Sequence, residues 1–518
     1  MCGIAAIINP SAKGSSEMDE MLDKIRQRGD SAPQQIQVGN AILGSVRLRI
    51  VDIPNGMQPF FNETKTIAVI LNGEIYNFKE LRSGLEAQKH TFLSDCDTEV
   101  LVHLYEEYGI DFLDKLEGMF AFLLYDLVGD KFFGVRDFFG VKPFYYCQNG
   151  NAIYVSSEMK SFLTIEAEIW KELKPGHYLT KEGITQYYTS PVTTRWNTGP
   201  VEEIRTTVRA LVESAVKKRV ATDLPIATFL SGGIDSSIVH LLCCQYHKNV
   251  TALIIGEDSG EDVIYAKRLC HDLNLQYYHI RTTREALVDH LPELIYTIET
   301  FEPNPVRGSL LSMQLASVAH EHGFKVVLCG EGSDEIFGGY GDFLYLPDES
   351  AFQSKIEALL ADLYRTQLLR IDKTGMKYSV EVREPFLDRA LVEYALTIAP
   401  SLKVTSINSQ QKTTKYILRE AFRYLLPEYI YTRDKMTLME GAGIGGVERG
   451  KGLLHDFTDR NISEQECQDI KERYPEYAIR DKEEAYCFKL FYEYYSKADF
   501  SKCRVINAQK EIFRPNEH

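Results

Sequence analysis

The sequence predicts two domains in series, a β-rich α+β domain at residues 2–190 and an α/β domain at residues 201–505. In the first part, short β-rich runs alternate with turn signals, and few helical stretches interrupt them. From residue 201 onward, strands and helices alternate, which is typical of a parallel sheet covered by helices. The segment Thr189 to Pro200, rich in Thr, Pro and Gly, is the predicted linker.

The first domain should be layered, because apolar residues recur with the spacing of strands in six runs and with helical spacing in two. The predicted strands are Gly3 to Ile8, Ala41 to Val46, Ile67 to Leu71, Phe120 to Tyr125, Lys131 to Val135 and Ala152 to Ser156, and the predicted helices are Glu17 to Arg28 and Thr98 to Tyr108.

In the second domain, polar or glycine-rich residues follow each predicted strand. These strands end at Leu230, Ile255, Ile280 and Leu328. Ligands of open parallel sheets bind beyond the carboxyl ends of the strands, so the four ends should line one crevice. After residue 350 the sequence is mostly helical.

Composition excludes several classes of protein. With 44% hydrophobic and 25% charged residues, the 518-residue chain has the profile of a globular protein, and its net charge of −16 argues against a nucleic-acid partner. No apolar stretch approaches the ~18 residues that span a bilayer, and the start lacks a signal peptide, so we expect a cytoplasmic protein that does not contact membranes. The ten cysteines show no paired CxxC spacing and are expected to be mostly buried and free.

Cys2 is a candidate nucleophile. Removal of Met1, which a small second residue permits, leaves a thiol and an α-amine on the same residue. An α-amine has a pKa of about 8, so a sizeable fraction is unprotonated near neutral pH and can act as the base for the thiol. The alternative is a buried structural cysteine that happens to stand second.

Residues elsewhere in the first domain complement a cysteine nucleophile. The side-chain amide of Asn72 and the backbone N–H of Gly73 could form an oxyanion hole. Arg47 could clamp an α-carboxylate, while Glu74 and Asp97 could hold an α-ammonium. Together these groups would recognise a free amino acid such as glutamine, unless they are ordinary turn residues and surface charges.

In the second domain, Ser231-Gly-Gly-Ile-Asp-Ser-Ser237 lies between a strand and an amphipathic helix, and should bind an anion. The loop lacks the lysine of a P-loop, so γ-phosphate transfer is not predicted. A second acidic segment, Cys329-Gly-Glu-Gly-Ser-Asp-Glu335, follows another strand. Asp235 and Asp334 could therefore share Mg²⁺, unless the two segments are solvated turns.

Several motifs of the first domain resemble the glutaminase domain of class II glutamine amidotransferases, which are N-terminal nucleophile hydrolases. The resemblance implies that Cys2 attacks the glutamine amide to give a thioester and ammonia, that the Asn-Gly pair stabilises the oxyanion, and that the three charged side chains hold glutamine. The motifs are Met1-Cys-Gly-Ile, Arg47-Leu-Arg-Ile-Val-Asp52, Asn72-Gly-Glu-Ile-Tyr-Asn77, Gly118-Met-Phe-Ala-Phe122, Arg136-Asp137, Gly140-Val-Lys-Pro143 and Ser157-Glu-Met-Lys160.

One motif departs from that family. Gln27-Arg-Gly-Asp-Ser31 stands where members usually carry His-Arg-Gly-Pro-Asp. We expect a differently shaped loop over the glutamine pocket and retained glutaminase activity, while the coupling to the second site is left open.

The second domain resembles the synthetase domain of asparagine synthetase and β-lactam synthetase, of the ATP-pyrophosphatase (adenine nucleotide α-hydrolase-like) fold. In that family a carboxylate attacks the α-phosphorus of ATP, and ammonia or an amine then opens the acyl-adenylate. The segments Glu381 to Asp388 and Lys415 to Glu420 also match. The resemblance assigns Leu230 and Ile255 to the adenine, Ser231, Gly232, Gly233, Asp235, Ser236 and Ser237 to pyrophosphate, Asp235 and Asp334 to the metal, Gly330 and Glu331 to the adenylate pocket, and Lys435 to the adenylation transition state.

Together, these resemblances imply a glutamine-dependent amidotransferase that uses ATP and Mg²⁺ to form the amide of a carboxylic acid, with aspartate as the first choice of acceptor. The same chemistry on another acid, in a natural-product or surface-polysaccharide pathway, is the main alternative, and a non-catalytic scaffold is a further one. Candidate acceptor contacts lie at Glu302 to Ser309 and Glu440 to Gly446, where Arg307 either meets an acidic substrate or pairs with a neighbouring acid. A homodimer and a closed passage for ammonia between the sites are also expected.

Overall fold

The computed structural model describes residues 2–191, 196–408, 411–444 and 452–498. The first part is rich in strands, as predicted. Its strands are β1 (Cys2–Ile8), β2 (Gln34–Val38), β3 (Ala41–Arg47), β4 (Phe60–Phe61), β5 (Ile67–Ile75), β6 (Gly118–Asp126), β7 (Lys131–Arg136), β8 (Tyr145–Asn149), β9 (Ala152–Ser156), β10 (Trp170–Glu172), β11 (His177–Leu179) and β12 (Ile184–Gln186), and its helices are α1 (Gly14–Lys24), α2 (Phe78–Ala87) and α3 (Val100–Tyr108).

These strands form two six-stranded antiparallel sheets, in the orders β10-β8-β9-β1-β3-β2 and β12-β11-β7-β6-β5-β4. Strand β1 is buried at every position because both of its faces are covered. Ile4 and Ala6 pack with Ile70 and Leu123 of the facing sheet, while Ile7 packs with residues of α1 on the other side. The predicted layered α+β domain is confirmed.

The second part is an α/β domain. Its helices and strands in chain order are α4 (Val201–Arg219), β13 (Ile226–Phe229), α5 (Ile234–Tyr246), β14 (Val250–Ile255), α6 (Glu261–Asp272), β15 (Tyr277–Ile280), α7 (Arg284–Val288), α8 (Leu291–Ile298), α9 (Pro303–Glu321), β16 (Val326–Leu328), α10 (Ser333–Phe337), α11 (Glu349–Asp362), α12 (Gln367–Met376), β17 (Glu381–Arg383), α13 (Arg389–Thr397), α14 (Pro400–Lys403), β18 (Thr405–Asn408), β19 (Gln411–Thr413), α15 (Tyr416–Ala421), α16 (Glu428–Tyr431), α17 (Leu438–Gly441), α18 (Leu453–Asn461), α19 (Glu464–Arg473) and α20 (Lys482–Tyr495).

Strands β13 to β17 form one parallel sheet in the order β15-β14-β13-β16-β17. The chain moves outward from β13 through β14 to β15, then returns to the other side of β13 at β16. The order therefore reverses between β13 and β16, and such a switch point is where open parallel sheets bind ligands. The loops after these two strands carry the two motifs that the sequence singles out in this domain.

None of the described helices combines the length and the apolar character that crossing a membrane requires. All nine cysteines within the described ranges are free, and eight of them are buried.

Candidate active sites

Cys2 begins strand β1 and lies opposite Arg47 in the register with β3. The residue is 5% exposed, and burial raises the pKa of its thiol. Gln58 donates a hydrogen bond from Nε2 to Cys2 Sγ at 3.4 Å, and holds its own place through two bonds to the backbone of Leu71. The predicted nucleophile is thus fixed inside the domain, beside polar groups.

Asn72 and Gly73, at the end of β5, stand next to this thiol. Asn72 Oδ1 accepts a hydrogen bond from the backbone N–H of Cys2 at 3.4 Å. The Asn72 side chain is fully buried, and its Nδ2 has no hydrogen-bond partner among the described residues. Gly73 has φ +153°, and a Cβ there would lie 2.1 Å from the carbonyl oxygen of Met119, so no other residue fits. A buried donor without a partner is suited to an oxyanion.

Two buried carboxyl groups follow. Burial, assisted by the neighbouring Glu381 and Asp97, raises the pKa of Glu74 to about 8. Asp97 accepts a bond from the backbone N–H of Ile75 at 2.8 Å, and burial raises its pKa. Arg383 of β17 lies 3.4 Å from Glu74, so a strand of the second domain contacts the predicted glutamine pocket directly.

Arg47 is buried at the same site, but its guanidinium already has partners. It donates to the carbonyl oxygens of Ile53 at 3.0 Å, Val51 at 2.8 Å and Asp52 at 2.7 Å. These bonds use three of the five N–H groups of an arginine. Binding of an α-carboxylate by Arg47 therefore stays a prediction, and it relies on the two remaining N–H groups of the guanidinium.

The loop at 27–31 bridges the two domains. Arg28 is fully buried, donating to the carbonyl oxygen of Cys2 at 3.3 Å, to Glu158 at 2.7 Å and to Asp372 of α12 at 2.9 Å. Asp30 stands where the glutaminase family usually has proline, and it pairs with Lys325 of the second domain at 2.6 Å. The departure from the family motif thus supplies an interdomain ion pair.

At the switch point, the loop after β13 folds around its own hydroxyl groups. Ser231 and Ser236 share a hydrogen bond of 3.0 Å between their side chains, and the backbone N–H of Gly233 donates to Ser231 Oγ at 3.2 Å. Gly232 has φ +70°, and a Cβ there would meet the backbone N of Ala266 at 2.6 Å. This close-packed turn begins α5, whose N-terminus favours an anion.

Two lysines join the predicted metal ligands. Lys415 Nζ lies 2.5 Å from Asp235 and 2.7 Å from Asp334, and Lys435 Nζ lies 2.7 Å from the other oxygen of Asp334. Burial opposes ionisation of Asp334, but the two ammonium groups outweigh it and hold its pKa below the usual range. Lys415 adopts a left-handed backbone conformation, φ +56°, which is uncommon for a residue other than glycine.

These groups line a cleft at the switch point. Arg370 enters it from α12, bonded to Glu331 at 2.5 Å and to Ser312 at 2.6 Å. Gly232 and Ser237 are not among the lining residues, and Ser237 is fully buried. The predicted residues that line the cleft are Leu230, Ser231, Gly233, Asp235, Ser236, Ile255, Gly330, Glu331, Asp334 and Lys435.

Arg307 belongs to the first of the two candidate acceptor segments. Of the two interpretations of Arg307, the structure has the ion pair: its guanidinium lies 2.7 Å from Glu483. Arg307 does not line the cleft, whereas Ser312 and Leu315 of the same helix do. The glycine-rich segment is described only up to residue 444, so 445–446 lie outside the described residues.

Sequence reasoning passed over four residues that contact these sites. Gln58, Arg370 and Lys415 are single polar residues far in sequence from the groups they contact. Arg433 donates to the carbonyl of Ser231 at 3.2 Å and to Asp262 at 2.6 Å, which ties the loop at 231–237 to α6. Lys415 begins the segment Lys415 to Glu420, which resembles the synthetase family, and Arg433 stands two residues before the assigned Lys435; these positions were the available signal.

Comparison with known proteins agrees with this geometry. A family model for a glutamine amidotransferase domain matches residues 1–218, and a model for asparagine synthase matches 207–357 and 342–484. Asparagine synthetase [glutamine-hydrolyzing] 1 of Arabidopsis thaliana is 31% identical, covering 95% of this chain and 86% of its own. Asparagine synthetase [glutamine-hydrolyzing] 3 of the same plant is 33% identical (96% and 88%), and a probable asparagine synthetase of Dictyostelium discoideum is 32% identical (95% and 93%). The chain belongs to the glutamine-hydrolysing asparagine synthetase family.

Proposed function

We propose that this chain forms asparagine from aspartate, using ATP and the amide nitrogen of glutamine, and releases AMP, pyrophosphate and glutamate. The observation that carries the proposal is the pairing of two sites in one chain. A buried Cys2 stands beside a donor of Asn72 that has no partner among the described residues, and an anion-binding loop opens into a cleft at the switch point of the second sheet.

In the first site, the Cys2 thiolate attacks the amide carbon of glutamine, and Asn72 Nδ2 and the Gly73 N–H stabilise the oxyanion. Collapse of the intermediate expels ammonia and leaves a thioester, which water hydrolyses to glutamate. Glu74 and Asp97 hold the α-ammonium of glutamine, and Arg47 its α-carboxylate. The base is the α-amine of Cys2, so the proposal requires removal of Met1, which lies outside the described residues.

In the second site, ATP occupies the cleft with its adenine beside Leu230 and Ile255, and its pyrophosphate on the loop at 231–237. The β-carboxylate of aspartate attacks the α-phosphorus, and pyrophosphate leaves. Lys435 neutralises charge that develops in this transition state. Ammonia then attacks the aspartyl-adenylate, forming the amide and expelling AMP.

The donor set fits a Mg²⁺ ion held through ATP phosphates. Asp235 and Asp334 supply carboxylate oxygens, the ligand type that Mg²⁺ prefers, although Lys415 Nζ lies within 2.7 Å of both. We propose that these two aspartates hold the ion, which would neutralise phosphate charge when bound. Lys415 holds the two carboxylates close together and, with Lys435, keeps the pKa of Asp334 below its usual range.

For the acceptor, Arg370 is the best candidate to contact the α-carboxylate of aspartate, because its buried guanidinium lines the cleft beside Glu331. The experiment measures pyrophosphate release with ATP, glutamine and a panel of carboxylic acids. We expect release with aspartate, accompanied by asparagine. Release with a different acid alone would support the natural-product or polysaccharide alternative, and silence with every acid would refute both interpretations.

A homodimer in the cytoplasm completes the proposal. The free state of the described cysteines supports a reducing compartment. Cell fractionation and analytical ultracentrifugation test the two statements separately.

A further inference from the structure

A cluster of two histidines and two glutamates lies in the first domain, away from both reaction sites. Glu63 stands in the turn between β4 and β5, His90 follows α2, and His103 and Glu106 lie one turn apart on α3. One ligand atom from each side chain lies within 4.8 Å of the other three. Asp97, assigned to the glutamine pocket, precedes α3, whereas His103 and Glu106 lie further along that helix.

The spacing of the ligand atoms suits a tetrahedral ion. His90 Nδ1 lies 3.5 Å from Glu63 Oε1 and 3.8 Å from Glu106 Oε2, and His103 Nδ1 lies 3.4 Å from Glu63 Oε2. Ligands at zinc bond lengths of about 2.0 to 2.2 Å in tetrahedral geometry stand roughly 3.3 to 3.6 Å apart. The three measured distances lie within about 0.2 Å of this range, and all four ligand atoms lie within 4.8 Å of one another.

His103 is the independent sign of a ligand. Its side chain is 1% exposed, and neither ring nitrogen has a hydrogen-bond partner among the described residues. Burying such polar atoms without partners is costly, so an imidazole in this state favours an ion as its partner. Its Nδ1 faces the centre of the cluster, and its Nε2 lies 3.9 Å from the carboxylate of Glu99.

Residues around the cluster orient the side chains of His90, Glu63 and Glu106. His90 Nε2 is 2.9 Å from Glu107 Oε1; with the proton on Nε2, the lone pair of Nδ1 points at the cluster. The backbone N–H of Thr91 donates to Glu63 at 2.7 Å, and Asn62 donates to Glu106 Oε1 at 3.3 Å. Carboxylate partners behind histidine ligands are typical of zinc sites.

We propose that Glu63, His90, His103 and Glu106 bind one zinc ion that fastens the turn before β5 and the loop after α2 to α3. The two imidazoles select a transition metal over Mg²⁺ or Ca²⁺, which prefer ligand sets made only of oxygen. With four protein ligands the site is closed, so its role is structural.

The test uses full-length protein stripped with a chelator and dialysed against zinc in excess Mg²⁺, with bound zinc measured by elemental mass spectrometry. We expect one tightly bound zinc per wild-type chain and its loss in His90→Gln and in Glu106→Gln; the Glu106 side chain is 34% exposed, so its replacement should not disturb the fold. His290→Gln is the matched control, because its ring lies 3.8 Å from Glu293 with no second histidine ligand in the described structure. It should keep the zinc.

Two more readouts distinguish zinc in this cluster from zinc bound at another place on the chain. Zinc should raise the melting temperature of the wild type and of His290→Gln, but not that of His90→Gln. Cobalt in place of zinc should give a tetrahedral spectrum without a thiolate band, which separates the cluster from binding at a cysteine. The proposal is overturned if the wild type binds no zinc, if His90→Gln binds as much as the wild type, or if only another divalent metal is retained.

Discussion

Replacing Asn72 by alanine removes one predicted oxyanion donor, and it also removes the Oδ1 that accepts a hydrogen bond of 3.4 Å from the N–H of Cys2. Asn72 Nδ2 has no hydrogen-bond partner in the described structure, so removing this donor breaks no hydrogen bond to another protein group. A single oxyanion-hole donor contributes about 3 to 4 kcal/mol to the transition state, which corresponds to a fall of 10²- to 10³-fold in kcat. The KM for glutamine should change little, because the donor acts on charge that forms only during the reaction.

The assay measures glutamate release with glutamine, and pyrophosphate release with ammonia in its place. Asn72→Ala should lose the first and retain the second. Cys2→Ala is the reference variant, since it abolishes glutamine use entirely while sparing ammonia-dependent synthesis. If the glutaminase kcat of Asn72→Ala stays within about threefold of wild type, a difference below ~1 kcal/mol, then the oxyanion hole is elsewhere.

Three other predictions concern both sites. Asp235→Ala, which removes a partner of Lys415, should reduce pyrophosphate release by more than about 100-fold while basal glutaminase persists; equal loss of both would indicate a structural role. The pKa of Glu74, raised to about 8 by burial, leaves this carboxyl neutral at lower pH, so the KM for glutamine should fall as the pH rises through that value. If the KM for glutamine depends on pH in the same way in wild type and in Glu74→Gln, the prediction is wrong. Asp30→Ala breaks the ion pair to Lys325 and should raise the amount of glutamate released per asparagine formed. The free energy of unfolding should change by less than about 1 kcal/mol, because the pair is partly exposed. An unchanged ratio of glutamate to asparagine would show that this loop does not couple the two reactions.

The main strands were predictable because burial imposes a period on the sequence. β1, β5 and β6 are long apolar runs, and the structure places them within a residue or a few of the predicted ends. β17 was missed, since three residues carry no period and its pairing partner β16 lies more than fifty residues away. The layering of the first domain could be expected, but the order of its strands could not.

The candidate sites divide in the same way. Candidate residues that are neighbours in sequence, such as Asn72 with Gly73 or the segment 231–237, could be proposed from the sequence because adjacency preserves their geometry. Gln58 and Lys415 reach their partners across 56 and 180 residues, so only the folded chain brings them to Cys2 and Asp235. The zinc cluster is of this second kind as well, since its members come from three separate segments.

The buried guanidinium of Arg28 limits which domains can be joined to each other. Its Nε donates to the carbonyl oxygen of Cys2, and its two terminal nitrogens donate to the carboxylate of Asp372 in the second domain. These contacts are buried from solvent. A second domain without Asp372 would leave this guanidinium buried against it without one of its carboxylate partners, which is strongly destabilising for a buried ion pair. The two domains are therefore matched to each other at this contact, and grafting either onto a foreign partner would require redesign of that contact first.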